Sequence, residues 1–144
     1  MKLYVLGFMF DADREKVLLV EKTSPPWQAE KLNGVGGKIE ENEAPQAAMC
    51  REFLEETGIN TSLDDWEYKL AMGGKDWIVY VYRAEGPIQL AKQITKKDKP
   101  ICARINYLQN YTTIPNLRWI VPFLLDRENI QGEVNYHVFK EAGE

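Results

Sequence analysis

The chain has 144 residues, 44% hydrophobic and 28% charged, the composition of a globular protein with a sizeable core. Its formal net charge of −4 argues against general affinity for a nucleic-acid backbone, so an anionic ligand must be met locally, by metals and a few cations. The two cysteines, Cys50 and Cys102, make no disulfide framework, and the opening MKLYVLGFMF is too short to span a membrane and lacks a small-residue cleavage site, which together lead us to expect a cytoplasmic protein.

The apolar run Leu3 to Phe10 reads as a buried strand, followed by a turn at Asp11 to Arg14 and a second strand from Val17 to Glu21. Pro25-Pro26 makes a loop of Thr23 to Lys31; Leu32 to Val35 is short and extended, and Gly36-Gly37 lead into an acidic segment. Ala44 to Thr57 is rich in helix formers, with Pro45 near its start and Gly58 as its stop. Trp66 to Met72 and Trp77 to Arg83 flank Gly73-Gly74-Lys75-Asp76, the pattern of a β-hairpin. Gly86 to Lys99 is polar, with lysines that solvent covers or that steer anions inward; Pro100 to Leu108 reads as a strand. A helix from Leu117 to Leu125, despite Pro122, and a strand from Val134 to Phe139 holding the single histidine, His137, complete the order. Residues 1–144 show no repeat or internal boundary, so one domain is expected, with a mixed sheet between helices; the pattern alone leaves α/β and α+β open.

The chemistry concentrates between Gly37 and Ile59, GKIEENEAPQAAMCREFLEETGI, with landmarks Gly37, Glu43, Arg51, Glu52, Glu55, Glu56 and Gly58. At about 100° per residue, Glu52, Glu55 and Glu56 fall within an arc of roughly 100° on one helix face. Ala47, Cys50, Phe53 and Leu54 are expected on the opposite side, in the core. Three carboxylates on one face repel one another unless a positive partner sits among them, and hard divalent ions such as Mg²⁺ take oxygen ligands while leaving room for phosphate. Arg51 can hold one carboxylate through a bidentate pair.

This segment resembles the Nudix box, the motif of hydrolases that split nucleoside diphosphates linked to another group. All seven landmarks are present, and Phe53 and Ile59 fill its two bulky apolar positions. The resemblance implies an α/β fold, the Nudix α/β/α sandwich with a mixed central sheet. It further implies that Glu52, Glu55 and Glu56, helped by the Gly37 carbonyl, hold Mg²⁺, for which Mn²⁺ can substitute. Glu52, or a glutamate outside the box, would activate the attacking water. Asp98 stands where relatives place an extra acidic metal ligand.

The run Leu32-Asn33-Gly34-Val35-Gly36-Gly37-Lys38 is similar to the segment before the box in the MutT-like branch, which hydrolyses nucleoside triphosphates, oxidised purine ones included. There an asparagine at the position of Asn33 contacts the base, and an amide can both donate to and accept from a purine edge. Ile114-Pro115-Asn116-Leu117 loosely matches a base-reading segment that ends in acidic residues in that branch; this chain has Asn116 and Leu117 instead, and an amide reads a base edge differently from a protonated carboxylate, so an oxidised purine triphosphate stays among the expected substrates while a preference for oxidised guanine is left open. Lys22 and Lys38 are the cations placed to meet substrate, and Trp27, Trp77 and Trp119 are the aromatics that can stack on a base. The expectation is a pyrophosphohydrolase that converts a nucleoside triphosphate to the monophosphate and pyrophosphate. The alternatives are a Nudix hydrolase of a dinucleotide, capped RNA or a sugar nucleotide such as ADP-ribose, and a module that holds nucleotides without cleaving them. The last is usually marked by eroded box carboxylates, and none is eroded here.

Overall fold

The apolar character of the first strand is continuous rather than alternating, and the computed structural model, which describes residues 1–137, shows why. The elements are β1 (Lys2–Phe10), β2 (Lys16–Lys22), β3 (Leu32–Asn33), β4 (Val35–Lys38), α1 (Pro45–Thr57), β5 (Glu67–Gly73), β6 (Trp77–Glu85), β7 (Asp98–Arg104), α2 (Leu117–Leu124) and β8 (Gly132–Asn135). All eight strands join one mixed sheet in the order β3-β2-β1-β6-β5-β8, with β4 paired to β1 and β7 paired to β2. From Val5 to Phe10, β1 is buried on both faces. Its Leu6, Phe8 and Phe10 join Val17 and Leu19 of β2 and the apolar stripe of α2 (Leu117, Ile120, Val121, Leu124) in one core. Val5 and Met9 join Leu18, Val20 and the stripe Ala48, Met49 and Phe53 of α1 in the other. Two-residue periodicity on each strand thus feeds two helix layers, one on each face, which is the expected α/β/α sandwich.

The long edge of β1 away from β6 is shared. Tyr4 to Gly7 pair antiparallel with β4, whereas Met9 and Phe10 pair with β2. On the other edge β6 runs parallel to β1 through the whole register from Lys2↔Trp77 to Phe10↔Glu85. The fork between β4 and β2 brings Lys22, Asn33 and the Gly36-Gly37 pair of β4 to one region of the sheet. Pro45 begins α1, where a missing N–H is tolerated, and Gly58 ends it at φ 76°, a left-handed conformation that glycine adopts without strain, its N–H reaching the Leu54 carbonyl at 2.9 Å.

Several expectations need correction. Leu54 is exposed, and Ala47 and Cys50 are only half buried. The face of α1 that packs inward carries Ala48, Met49, Phe53, Glu56 and Thr57, so the helix is rotated to bring its glutamates to the border of the core rather than opposite it. The strand expected from Pro100 to Leu108 ends at Arg104, and Ile105–Asn110 forms 3₁₀ turns instead. The last strand runs from Gly132 to Asn135 rather than from Val134 onward; residues 138 and 139 of the expected span lie outside the described residues, and exposed His137 falls beyond the strand. Both cysteines are free. Among the described residues no helix is long and apolar enough to cross a membrane.

Candidate functional site

The segment from Ile39 to Ala44 carries no regular structure, yet one side chain of α1 fixes it. Arg51 donates from Nε and Nη2 to the two oxygens of Glu43 at 2.7 and 2.9 Å, and from Nη2 to the Lys38 carbonyl at 3.0 Å. Its Nη1 reaches Glu52 at 3.0 Å and Glu55 at 3.3 Å. The fork-on-fork pair with Glu43 is the bidentate geometry that guanidinium favours, and it holds the Glu43 carboxyl below its ordinary value. In return, the hydrogen bond from Glu43 raises the Arg51 pKa further. One arginine therefore ties the box loop to the helix and offsets the charge of the acidic face.

The second half of that face points inward. Glu56 is 7% exposed; its Oε2 accepts from the Gly36 N–H at 3.2 Å, and its Oε1 lies 3.9 Å from the Lys22 ammonium. Lys22 also donates to Asp98 at 3.4 Å, and Asp98 is buried at the first position of β7. Burial, then the hydrogen bond and negative charge of Asp98, push the Glu56 pKa well above the carboxylate range, with Lys22 opposing them. Burial also raises the Glu52 pKa, against the pull of Arg51. A Cβ at Gly37 would lie within 2.6 Å of the Glu52 carboxylate, so only glycine lets that side chain settle over the strand. Glu55 is the outer member, its side chain 55% exposed.

The donor set of Glu52, Glu55, Glu56, Asp98 and the Gly37 carbonyl is all hard oxygen, the chemistry that Mg²⁺ or Mn²⁺ prefers. Among the described residues, however, no three acidic, histidine or cysteine side chains already converge as a ligand set. The reason lies in the cations: Arg51 draws Glu52 and Glu55 to one side, and Lys22 draws Glu56 and Asp98 to the other. The donor chemistry fits a divalent ion, and Arg51 and Lys22 pair with the same carboxylates.

Beside this cluster lies a cavity of about 710 Å³. Gly36, Gly37 and Lys22 line it on the carboxylate side, and Asn33 and Asn116 line it farther in. Asn33 is fixed by two contacts, its Oδ1 accepting from the Gly34 N–H at 2.8 Å and its Nδ2 donating to Gln28 at 3.3 Å. Asn116 precedes α2 but makes no capping hydrogen bond. Among the described residues its Oδ1 is buried without a partner, and its Nδ2 faces the Met72 sulfur at 4.0 Å. A buried acceptor left unsatisfied in a cavity wall is costly, and a donor from a ligand relieves that cost.

Of the residues singled out from the sequence, Arg51, Glu52, Glu55, Glu56, Asp98, Lys22 and Gly37 come together at one end of the cavity, and Asn33 and Asn116 line it. Trp27 and Trp77 also line it, whereas Trp119 packs into the α2-side core. Lys38 does not line the cavity; its side chain is exposed, and what it contributes is the carbonyl that Arg51 binds. Sequence reasoning misses Gln28, Met72 and Tyr136. Gln28 lies on a loop whose fold no local pattern sets, Met72 reads as plain core, and Tyr136 reaches the cavity only because β8 joins the sheet beside β5.

Residues 2–129 match a family model described as the NUDIX domain. Among the solved structures that resemble the fold, three illustrate the range. A MutT protein of Bacillus halodurans superposes with a TM-score of 0.72 at 18% identity, covering 94% of this chain and 90% of its own. The NUDIX domain of Shewanella oneidensis NrtR, complexed with ADP ribose, gives 0.71 at 19% identity, with 84% of each chain covered. A NUDIX-family hydrolase of Clostridium perfringens gives 0.63 at 20% identity, covering 83% of this chain and 92% of its own. At such identities the likeness is one of fold. No curated protein matches the chain.

Proposed function

The chain belongs to the Nudix hydrolase family, and from that premise we propose that it is a divalent-metal-dependent pyrophosphohydrolase cleaving a nucleoside triphosphate to the monophosphate and pyrophosphate. The observation that carries this reading is the junction of the acidic helix face with the cavity. Gly36, Gly37 and Lys22 belong to both, so a ligand whose base fills the cavity presents its phosphates to the carboxylates. A volume of about 710 Å³ suits a nucleoside.

Glu52, Glu55, Glu56, Asp98 and the Gly37 carbonyl would hold Mg²⁺ or Mn²⁺. When bound, such an ion neutralises the phosphoanhydride oxygens and lowers the pKa of a coordinated water. The residues themselves do the rest. Arg51 holds Glu43, Glu52 and Glu55 in a fixed relation to the Lys38 carbonyl. Glu52, half-buried beside the Gly37 backbone and held by Arg51, is the carboxylate to which we assign acceptance of a proton from the attacking water. Lys22 stands at the boundary between carboxylates and cavity, where it can transfer its pairing to substrate phosphate. Asn33 and Asn116 offer amide groups to a base edge, and the unpartnered Asn116 Oδ1 calls for a donor there.

A second reading keeps the bond cleaved and changes what lies beyond the phosphates. The Shewanella structure, similar over 84% of this chain, is a complex with ADP ribose, and a nucleoside diphosphate sugar would present the same diphosphate to the same face. A panel of nucleoside triphosphates, ADP-ribose and dinucleotides with Mg²⁺ or Mn²⁺, followed by product analysis, separates the two. Pyrophosphate released from a triphosphate supports the first reading; turnover of ADP-ribose alone supports the second. With either substrate, Glu55→Gln and Glu56→Gln are expected to lose most turnover, and wild-type rates in both would refute the metal role.

A further inference from the structure

The family match ends at residue 129, and the fold goes on past it. Beyond Leu124 the chain turns back and adds β8 as a parallel edge strand on β5, in register from Leu70↔Gly132 to Gly73↔Asn135. Three further contacts seat it. The β5–β6 pairing slips at a bulge between Tyr68 and Leu70, and Lys69, in that bulge, is 1% exposed with its ammonium on the Asn129 side-chain carbonyl. Gln131 Nε2 donates to the Tyr68 carbonyl at 3.2 Å. After the strand, the Tyr136 N–H donates to the Gly73 carbonyl at 2.7 Å. The Lys69 ammonium also lies 3.6 Å from Glu67, and with the Asn129, Gln131 and Tyr136 contacts the excursion is tied to β5 at several points.

What the excursion delivers is an aromatic ring. Tyr136 lies beside Trp77, the two centroids 5.6 Å apart and the planes inclined by 38°, and both rings line the cavity. Gly74 makes room for the indole, since a Cβ there would sit 2.6 Å from Cε2 of Trp77. Tyr136 is 42% exposed, which leaves ring surface available to a ligand. Trp77 and Tyr136 belong to the cavity lining, to which Glu52, Glu55, Glu56 and Asp98 do not contribute, so this wall is distinct from the carboxylate face.

We propose that Tyr136, carried by a strand outside the family's matched span, forms with Trp77 an aromatic wall that sets specificity by packing against the planar ring of the substrate. It thereby selects phosphoanhydrides bearing a nucleobase over those that do not. The inference rests on the nucleotide reading above and specifies the element that enforces it. Stacking a base on aromatic side chains contributes enough that removing one ring of the wall weakens nucleotide binding about tenfold.

The test compares Tyr136→Leu and Tyr136→Phe with wild type. Each is assayed for KM and kcat with nucleoside triphosphates and for inhibition by inorganic tripolyphosphate, which has the anion and no base. Because the 2.7 Å bond to Gly73 comes from the backbone, both variants keep it, and far-ultraviolet circular dichroism with thermal melting checks the fold. The expected result is a KM about tenfold higher in Tyr136→Leu with kcat little changed, restoration by Tyr136→Phe, and an unaltered inhibition constant for tripolyphosphate. An unchanged KM, or an equal loss of tripolyphosphate binding, overturns the inference while the hydrolase reading stands. Wild-type protein that turns over no nucleotide overturns both.

Discussion

Glu56 offers the sharpest test of how the site is balanced without metal. It is 7% exposed and shares Lys22 with Asp98. When Glu56 is protonated, Asp98 and Lys22 remain as a one-to-one ion pair; when it ionises, a surplus negative charge is left in a buried place. Its folded pKa is raised above the ordinary value of 4.5, mainly by burial and then by Asp98. In the window between these two values the folded protein holds a proton that the unfolded chain has released. The bound-proton difference, unfolded minus folded, is therefore negative, and stability falls as pH rises, by about 1.4 kcal/mol per pH unit for one proton. For metal-free protein, the folded pKa of about 9 lies above the interval from pH 6 to pH 7, so the loss from this group across it is about 1.4 kcal/mol. Glu56→Gln keeps an amide beside Lys22 and Asp98 without a titrating proton. Urea unfolding in EDTA at pH 6 and pH 7 is therefore expected to show wild type losing stability relative to Glu56→Gln, the variant being the more stable at the higher pH while losing most turnover. Mg²⁺ should reduce the difference, because binding favours the ionised carboxylate. Parallel stability curves for the two proteins in EDTA would refute the assignment of a retained proton.

Gly37→Ala places a Cβ within 2.6 Å of the Glu52 carboxylate, and steady-state kinetics should show a fall in kcat of at least tenfold with a folded protein by circular dichroism. Arg51→Lys loses the bidentate grip on Glu43 and the reach to the Lys38 carbonyl; it is expected to lower both turnover and the melting temperature, with the stability loss in the range of about 1–3 kcal/mol. Phe53→Ala removes a fully buried ring that meets Trp66 edge-on at 4.9 Å, and denaturant titration should report a cost of about 3–5 kcal/mol. Chelation should abolish turnover, and Mg²⁺ or Mn²⁺ should restore it; full activity in excess EDTA would contradict a metal-dependent step.

The box is legible because its information is local: seven residues at fixed spacing on one turn and one helix place their own side chains, and Glu43, Arg51 and the glutamates stand together accordingly. The strands are legible from their apolar runs, and Gly58 from its role as a helix stop. What fails depends on distant partners. Helical spacing alone assigns Leu54 to the core, but Gly36, Lys22 and Asp98 engage Glu56 from the sheet, the helix settles around that contact, and Leu54 is left outside. Ile105 to Leu108 has the composition of a strand, yet the ladder with β2 ends at Lys16↔Arg104, a last bond runs from the Ile105 N–H to the Glu15 carbonyl at 2.9 Å, and the chain then coils into 3₁₀ turns. Lys38 fits a motif in one dimension while its side chain faces solvent. Tyr136 carries no local mark at all; its position follows from a bulge sixty-odd residues earlier and from a buried lysine that binds Asn129.

Because β1 feeds both helix layers, its alignment with β4 decides more than packing. A slip of one residue would exchange Leu6 and Phe8 for Val5 and Gly7 across the two cores, and the same slip would carry Gly36 and Gly37 away from Glu56 and Glu52. Inserting or deleting a single amino acid within either strand should therefore abolish solubility and turnover in one stroke, whereas such length changes in the turn around Asp13 ought to be absorbed.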